Sequence, residues 1–251
     1  MSREDSVPHW TEDFFDGPWN IIQRSPELVR KAADEAAFLE DTLPLSPGSR
    51  VADIPCGDGR ILLELARRGH RLTGLDACRK SVRRARDRIR RADVDARVRL
   101  GDMRSTGLES GYDAVVCWGG SFGYFSDDEN ETVVRELVRL AAPGGAVLVE
   151  SVGRPYVLRH FLRTVEHSTR EVSAVARNRW NAGTERLEGR WTFSHKGETK
   201  RGRTEIRLYT LAQMRRLLDD AGAPLEAAFG GVDGEPYSPS SRRMIVVGRK
   251  R

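Results

Sequence analysis

The 251-residue sequence contains few cysteines. There are three, Cys56, Cys78 and Cys117, and they lie far apart with no CxxC spacing. An odd number of separated cysteines does not make a disulfide framework or a cysteine-ligated zinc site, and it is typical of reduced thiols in a cytosol. The chain also has no hydrophobic run long enough to cross a membrane, and its first residues lack a signal-peptide core. These absences predict a cytoplasmic protein that makes no membrane contact.

Lysine is scarce too, so arginine supplies most of the basic residues behind the net charge of +5. The densest basic segment is 79–99, in which apolar residues recur at helical spacing and leave the arginines opposite: Val82, Ala85, Ile89 and Ala92. This pattern is typical of a solvated helix face, although contacts with phosphate groups would use the same arginines. Aromatic residues, on which single-stranded RNA stacks, are absent from the segment. We therefore expect no nucleic-acid partner.

Between residues 25 and 152 the sequence alternates regularly between strand and helix patterns. Ser25 and Pro26 begin a helix, and Ser126 with Glu129 forms a capping box for a later one. Five strands are predicted, at 50–54, 71–76, 96–102, 112–118 and 146–152. Such alternation predicts an α/β fold with a mostly parallel sheet and helices on both faces.

The alternation breaks after Val152. A short helix near 155–163 is followed by strand-rich residues 165–208, with turns at 181–183 and 196–197, which predict an antiparallel insertion. A helix with Thr210 and Gln213 as its capping box and two closing strands then complete a seven-stranded, Rossmann-like sheet. The predicted organisation is an N-terminal aromatic segment, a core, an insertion with its leading helix, and a C-terminal completion of the core: 1–24, 25–152, 153–208 and 209–251.

The segment VADIPCGDGR, residues 51–60, joins the first strand to a helix through a glycine turn. Parallel sheets bind ligands at the carboxyl ends of their strands, so this turn is the expected site. A dinucleotide fingerprint requires a third glycine where this chain has Leu62, and a phosphate loop requires a Gly-Lys-Ser/Thr ending. Asp53 would also repel phosphate. The turn therefore favours a ligand that carries an ammonium group.

Two further carboxylates follow at the tips of the next strands. Asp76 closes the second strand, where nucleoside-binding folds place an acid on the ribose hydroxyls, and Asp102 ends the third. A row of three acids suits a ligand with an amine at one end, a ribose in the middle and an amino-substituted base at the other. S-adenosylmethionine has this arrangement.

The ordered motifs resemble those of the class I S-adenosylmethionine-dependent methyltransferases, and more narrowly of their bacterial small-molecule, natural-product group. The matching motifs are D-x-P-C-G-x-G-R at 53–60, G-D-M-R at 101–104 and S-F-G-Y-F at 121–125. The closing segments 208–222 and 236–247 match the same group, so the resemblance covers nearly the whole chain. Ile54 and Pro55 stand where most class I enzymes have a small residue or glycine, a variant that occurs in this group.

The resemblance implies roles for individual residues toward S-adenosylmethionine and its product S-adenosylhomocysteine. The methionine part would contact Asp53, Cys56, Gly57 and Gly59. Asp76, with Ala77 beside it, would bind the ribose. Asp102 and the Met103 backbone would read the adenine, and Trp118 and Gly119 would lie beside the cofactor. Cys56 and Met103 are equally interpretable as small or apolar core residues.

A base is required only if the acceptor must lose a proton, and the sequence assigns none with certainty. Tyr124, His9 and His167 are the catalytic candidates, and His160, His195 and Glu150 complete the set considered. A metal site is not expected, because no third ligand accompanies any histidine pair.

The N-terminal segment is rich in aromatic residues, with Trp19 among them. In similar enzymes such a segment folds over the cofactor as a lid, and its rings would attract the sulfonium. Packing of the first helix onto the sheet is the competing interpretation. The insertion is expected to cover the acceptor pocket or to form a homodimer contact.

We therefore predict a methyltransferase that acts on an N, O or C atom of a small organic acceptor in secondary metabolism. One alternative is an RNA or protein-tail methyltransferase that uses the basic helix. Another is a protein that binds S-adenosylmethionine without transferring its methyl group.

Overall fold

The strands and helices of the fold are described in a computed structural model that covers residues 14–251. The helices are α1 Trp19–Ile22, α2 Pro26–Thr42, α3 Arg60–Arg67, α4 Arg79–Ala92, α5 Asp127–Leu140, α6 Arg154–Arg159 and α7 Leu211–Asp220. The strands are β1 Arg50–Asp53, β2 Arg71–Asp76, β3 Ala96–Leu100, β4 Tyr112–Cys117, β5 Ala141–Val152, β6 Thr164–Ser168, β7 Val172–Asn181, β8 Arg186–His195, β9 Glu198–Arg207, β10 Leu225–Phe229 and β11 Arg243–Arg249. None of these helices is both long and apolar enough to span a bilayer.

The predicted helix starts are confirmed by their caps. The Ser25 hydroxyl accepts a hydrogen bond from the amide of Leu28 at 3.4 Å, and Pro26 occupies the first turn. Ser126 with Glu129 forms a reciprocal capping box at α5. Thr210 and Gln213 form the second box, at α7. These side chains satisfy backbone amides that have no partner within a helix, so they set where each helix begins.

Seven strands form the larger sheet in the order β10-β11-β5-β4-β1-β2-β3. β1 pairs in parallel with β2 on one side and with β4 on the other, so the order of strands reverses beside β1. Only the pairings of β11, with β5 and with β10, are antiparallel within this sheet. The predicted Rossmann-like, mostly parallel sheet is confirmed, and its reversal point lies at the tip of β1.

Helices cover both faces of this sheet, as the alternation predicted. On one face α2, α3 and α4 pack against strand residues such as Val51, Ala114 and Leu148. On the other face α5 and α7 pack against residues such as Val115, Val147 and Val246. Burial of both faces explains why these strands are nearly continuous apolar runs.

The predicted antiparallel insertion is a separate four-stranded sheet with the order β6-β7-β8-β9. One face of it, here called the inner face, carries Ala174, Trp191 and Phe193. Residues 14–22 of the N-terminal segment pack on this inner face, with Phe14 buried against Trp191 and Phe193 at ring distances of 5.6 and 5.7 Å. The aromatic rings of this segment therefore pack on the second sheet.

β5 differs from its predicted extent. It begins at Ala141, whereas the sequence pattern predicted a helix through residues 141–145 and a strand from Ala146. Pro143 cannot continue a helix, and a Cβ on Gly145 would lie 2.8 Å from the Tyr112 carbonyl oxygen of the neighbouring strand. Tyr112 pairs with Ala141 and Ala114 pairs with Ala146, so residues 142–145 form an irregularity in the β4–β5 pairing, in which Gly144 has φ of +76°.

Candidate functional site

The glycine turn connects β1 to α3 at the carboxyl edge of the seven-stranded sheet. Gly57 and Gly59 have φ of +55° and +77°, a conformation that favours glycine. A Cβ on Gly59 would lie 3.0 Å from the Ala85 Cβ, whereas one on Gly57 would meet no atom within 4 Å. The turn is therefore packed against α4 on one side and open on the other. This open side is where a ligand would approach the backbone.

Asp76 locks this turn to the tip of β2. One carboxylate oxygen accepts a hydrogen bond from the Gly57 amide and the other from the Cys78 amide, both at 2.8 Å. Cys56 also contacts β2, because its amide donates to the Leu75 carbonyl at 2.9 Å. The acid predicted to bind a ribose thus also fixes the position of the turn predicted to bind the methionine part.

Asp53 and Asp76 form a pair of confined carboxyl groups. Burial raises the pKa of Asp53 to about 7, with Arg60 opposing the shift and Asp76 adding to it. Burial likewise raises the pKa of Asp76 to about 6, and the amides of Cys78 and Gly57 oppose that shift. Arg60 compensates the charge of Asp53 only in part, so a ligand with an ammonium group would further favour the ionised carboxylates. The donor set and the open turn fit S-adenosylmethionine.

The tip of β3 is held by a residue that the sequence analysis did not single out. The Arg104 guanidinium contacts the Asp102 carboxylate at 2.6 to 3.1 Å, and the Arg104 amide donates to the same group at 2.8 Å. Arg104 also pairs with Glu129 at 2.5 Å and lies over the Phe125 ring at 4.6 Å. Met103 is buried beside them. The G-D-M-R motif contains this arginine, so the signal was present in the sequence.

The end of β4 brings Trp118 and Gly119 close to the glycine turn, because β4 pairs with β1 and the Ile54 amide donates to the Val116 carbonyl at 2.8 Å. The Trp118 side chain is 3% exposed and packs among α2 residues, with Phe38 at 6.1 Å. Gly119 is exposed and has φ of +80°. The predicted role of Trp118 beside the cofactor thus depends on its backbone. Ala77, by contrast, is exposed at the tip of β2.

The catalytic candidates lie in different surroundings. The Tyr124 hydroxyl donates to the Gly120 carbonyl at 3.0 Å, and burial raises the pKa of Tyr124 far above its usual value. His167 lies on β6 between Trp19 and Trp191, at ring distances of 5.5 and 5.8 Å, and burial lowers its pKa. His9 falls outside the residues that the structure describes. Both pKa shifts therefore favour the neutral form of the side chain.

A chain of buried charges runs beneath the site, and the sequence analysis did not predict it. Arg60, the first residue of α3, pairs with Glu35 of α2, which pairs with Arg243 of β11 at 2.9 Å. Arg243 in turn pairs with Glu150 of β5 at 3.0 Å. The second Glu150 oxygen accepts from the Gly120 amide at 2.7 Å. Its members lie up to 208 residues apart in sequence, so no local pattern identifies them.

Trp19, predicted to lie at the cofactor, packs on Phe14 and Trp191 at ring distances of 5.4 and 4.9 Å. Two neighbours of Trp19 reach the region after β2: Asp16 accepts from the Cys78 thiol at 2.7 Å, and Asn20 donates to Ser81 at 3.0 Å. The N-terminal segment thus joins the inner face of the four-stranded sheet to the start of α4. Within residues 14–251 no three metal-ligating side chains form a group that could hold a metal.

Comparison with known proteins shows which proteins this chain is similar to. Residues 51–145 match the model of a methyltransferase domain. The chain is 25% identical to a cypemycin N-terminal methyltransferase from a Streptomyces species, over 88% of this chain and 90% of the relative. It is 27% identical to dTDP-3-amino-3,4,6-trideoxy-alpha-D-glucopyranose N,N-dimethyltransferase of Streptomyces venezuelae, over 90% and 92%. It is 28% identical to 27-O-demethylrifamycin SV methyltransferase of Amycolatopsis mediterranei (strain S699), over 72% and 76%.

A solved structure supports the fold. The crystal structure of an S-adenosylmethionine-dependent methyltransferase from Clostridium acetobutylicum superposes with a TM-score of 0.80 at 12% identity. The superposition covers 92% of this chain and 97% of that one. The overall fold is therefore similar in the two chains despite the low identity of their sequences.

Proposed function

We propose that this chain, a class I S-adenosylmethionine-dependent methyltransferase of the bacterial small-molecule type, methylates an amine nitrogen of a small organic acceptor in secondary metabolism. The enzyme class and the cofactor are confirmed by the methyltransferase-domain match and by relatives aligned over most of their length. One of those relatives is named an N,N-dimethyltransferase and one an N-terminal methyltransferase, whereas a third is named for 27-O-demethylrifamycin SV. The choice of nitrogen therefore needs support from the site itself.

The observation that carries the choice of nitrogen is the engagement of two candidate bases. The Tyr124 hydroxyl donates a hydrogen bond to the Gly120 carbonyl, and both Glu150 oxygens accept hydrogen bonds, from Arg243 and from the Gly120 amide. Neither group is placed to accept a proton from an acceptor. A neutral amine attacks a methyl group without losing a proton first, whereas an alcohol requires a base. The amine is therefore the acceptor that best suits these residues.

The cofactor-binding assignments form part of the proposal. Asp53, Cys56, Gly57 and Gly59 would hold the methionine part of S-adenosylmethionine, whose sulfonium supplies an activated methyl group. Asp76 and Ala77 would bind the ribose. Asp102, positioned by Arg104, would accept from the adenine amine beside Met103, and the Trp118 and Gly119 backbone would flank the methyl group.

The chain's own contribution would be alignment and exclusion of water, with residues 14–22 as the lid. In support, this segment bridges the inner face of the four-stranded sheet and the residues after β2 through Asp16 and Asn20. Trp19 and Trp191 would then border the acceptor pocket. Their rings favour an acceptor with an apolar body.

A panel of matched amines and alcohols tests the acceptor atom. Each pair shares one carbon skeleton, and formation of S-adenosylhomocysteine is measured at fixed S-adenosylmethionine. Turnover of amines with little turnover of the matching alcohols is expected, and the reverse preference would overturn the nitrogen assignment. If the enzyme instead prefers alcohols and His167→Ala abolishes their turnover, His167 would be the base of an O-methyltransferase.

The location and assembly are proposed as well. The three cysteines are free and buried, which suits a reducing cytoplasm.

Leu158 and Leu162, at the entrance to the insertion, are 43% and 61% exposed, and they support a homodimer contact there. Light scattering of wild type and Leu162→Glu tests it: a wild-type dimer that the variant converts to monomer is expected, and a wild-type monomer would refute the contact.

A further inference from the structure

The loop after β4, residues 118–125, stands between the two halves of the proposed site. On one side it adjoins the glycine turn through the pairing of β4 with β1. On the other, the Gly123 carbonyl accepts from the Arg207 amide of β9 at 2.7 Å, and Tyr124 packs against Phe15 at 5.6 Å. Its conformation therefore affects how cofactor and acceptor face each other.

This loop contains two consecutive glycines in the left-handed conformation. Gly119 and Gly120 have φ of +80° and +68°, and a Cβ on Gly120 would meet no atom within 4 Å. Glycine populates such conformations readily but also leaves them readily, so packing alone does not hold this peptide. Some other interaction must fix it.

Two side chains hold Gly120 from opposite directions. Glu150 accepts from its amide at 2.7 Å, and the Tyr124 hydroxyl donates to its carbonyl at 3.0 Å. We propose that Glu150 and Tyr124 are positioning residues that clamp Gly120 between them and so set the geometry of methyl transfer. Arg243 holds Glu150 in place. This proposal rests on the proposed acceptor site beside the loop.

The burial of Glu150 explains why the clamp needs Arg243. Glu150 is 5% exposed, and a carboxylate so confined must be paired to remain ionised. Arg243 supplies the charge, lies over the Trp118 ring at 4.7 Å, and is itself paired to Glu35 at 2.9 Å. Glu35 pairs in turn with Arg60 at the start of α3. The clamp is thereby anchored to the helix that follows the glycine turn.

Hydrogen exchange tests the clamp without any acceptor. Wild type, Tyr124→Phe, Glu150→Gln and Arg243→Met are compared in saturating S-adenosylhomocysteine, with peptides from α7 as the internal reference. We expect amide exchange within 118–125 to rise about ten-fold or more in each variant, while α7 is unchanged. Arg243→Lys, which keeps the charge, should exchange more slowly than Arg243→Met. Unchanged exchange in 118–125 would overturn the proposal, even if no acceptor is ever found.

Kinetics with an acceptor from the amine panel provide the second readout. A positioning role predicts that kcat falls about ten-fold in Tyr124→Phe and Glu150→Gln, while the Kd for S-adenosylhomocysteine changes less than about three-fold. Both residues hold the same residue, Gly120, through its two flanking peptide groups, so the double variant should be little slower than the slower single variant. If Tyr124→Phe abolishes turnover but amide exchange in 118–125 is no faster, Tyr124 would be a catalytic base and the clamp would be overturned.

Discussion

At the carboxyl edge of the seven-stranded sheet the site residues are carboxylates held by backbone amides, whereas the inner face of the four-stranded sheet presents aromatic rings packed on one another. Asp76 accepts from the amides of Gly57 and Cys78. Trp191, in contrast, touches Phe14, Trp19 and Phe193 and makes its polar contact with Thr204 at 3.0 Å.

The two regions depend on the sequence in different ways. A site built from backbone amides requires glycines and acids at fixed spacing along one short segment. A site built from ring packing requires residues that only strand pairing brings together, as Ala176 and Trp191 are paired across β7 and β8. Substitutions in the first region should change cofactor affinity, and those in the second should change stability and acceptor binding.

The largest effect is expected for Asp76→Ala. Two backbone donors lose a charged acceptor and the ribose loses its proposed partner, so the Kd for S-adenosylmethionine should rise about a hundred-fold. Calorimetric titration measures it. Asp87→Ala is the matched control, because Asp87 pairs with Arg90 on the exposed face of α4. An affinity for Asp76→Ala within a few-fold of wild type would remove this carboxylate from the site.

Trp191→Ala sharpens the comparison from the other region. Loss of its contacts with Phe14, Trp19 and Phe193 should lower the free energy of unfolding by about 2 kcal/mol, because Trp191 is only partly buried. Urea denaturation measures this loss, and Trp191→Phe should recover part of it. Cofactor affinity should stay within about three-fold of wild type. A large loss of cofactor affinity would show that the two regions are not separable.

A pH series tests the confined carboxyls of the first region. The folded protein raises the pKa of Asp53 to about 7 and of Asp76 to about 6, from an ordinary value of 3.8. Folded protein therefore binds more protons than unfolded protein above pH 4. These two groups destabilise the ligand-free fold increasingly as pH rises toward 7, by at most about 1.4 kcal/mol per group per pH unit.

A cationic ligand should reverse this trend by stabilising the ionised carboxylates. S-adenosylmethionine should bind more tightly at pH 8 than at pH 5.5, with release of protons. Calorimetry at pH 6.5 in phosphate and in imidazole should give enthalpies that differ because the released protons enter buffers of different ionisation enthalpy. Asp53→Asn should reduce that difference. Equal enthalpies in the two buffers for wild type would contradict the proposed contact of Asp53 with the ammonium group.

Much of the larger sheet was predictable, because each of its elements has a local signal. Ser126, Glu129, Thr210 and Gln213 mark helix starts by side-chain caps, and these were confirmed. The start of β5 was predicted wrongly because Ala141 pairs with Tyr112 of β4. A contact with a distant backbone has no counterpart in the local pattern.

The candidate site was predictable in the same uneven way. Asp53, Gly57 and Asp76 were expected together from their spacing, and the structure brings them together. The chain from Arg60 through Glu35 and Arg243 to Glu150 was not expected, since it joins four elements remote in sequence. Long-range ion pairs form only after the fold has assembled, so a single sequence does not specify the partners.

The smallest effect is expected for the double variant Arg79→Ala, Arg83→Ala on α4. Its buried face carries Val82 and Ala85, whereas Arg79 and Arg83 are exposed. Loss of two exposed arginines should change the free energy of unfolding by no more than about 0.5 kcal/mol and cofactor affinity by less than about two-fold. The variant leaves both sheets intact, so it tests a basic surface that belongs to neither site.

Filter binding to bulk RNA over a salt series decides what that surface does. A solvated helix face predicts weak binding that the double variant barely alters. The alternative of an RNA methyltransferase predicts affinity that falls steeply with salt, with a slope that decreases by about 0.7 to 0.9 for each arginine removed. If the salt dependence of RNA affinity flattens by that amount in the double variant, the acceptor would be RNA bound at α4 and not a small molecule at the aromatic inner face. That result would also break the comparison on which the small-molecule assignment depends.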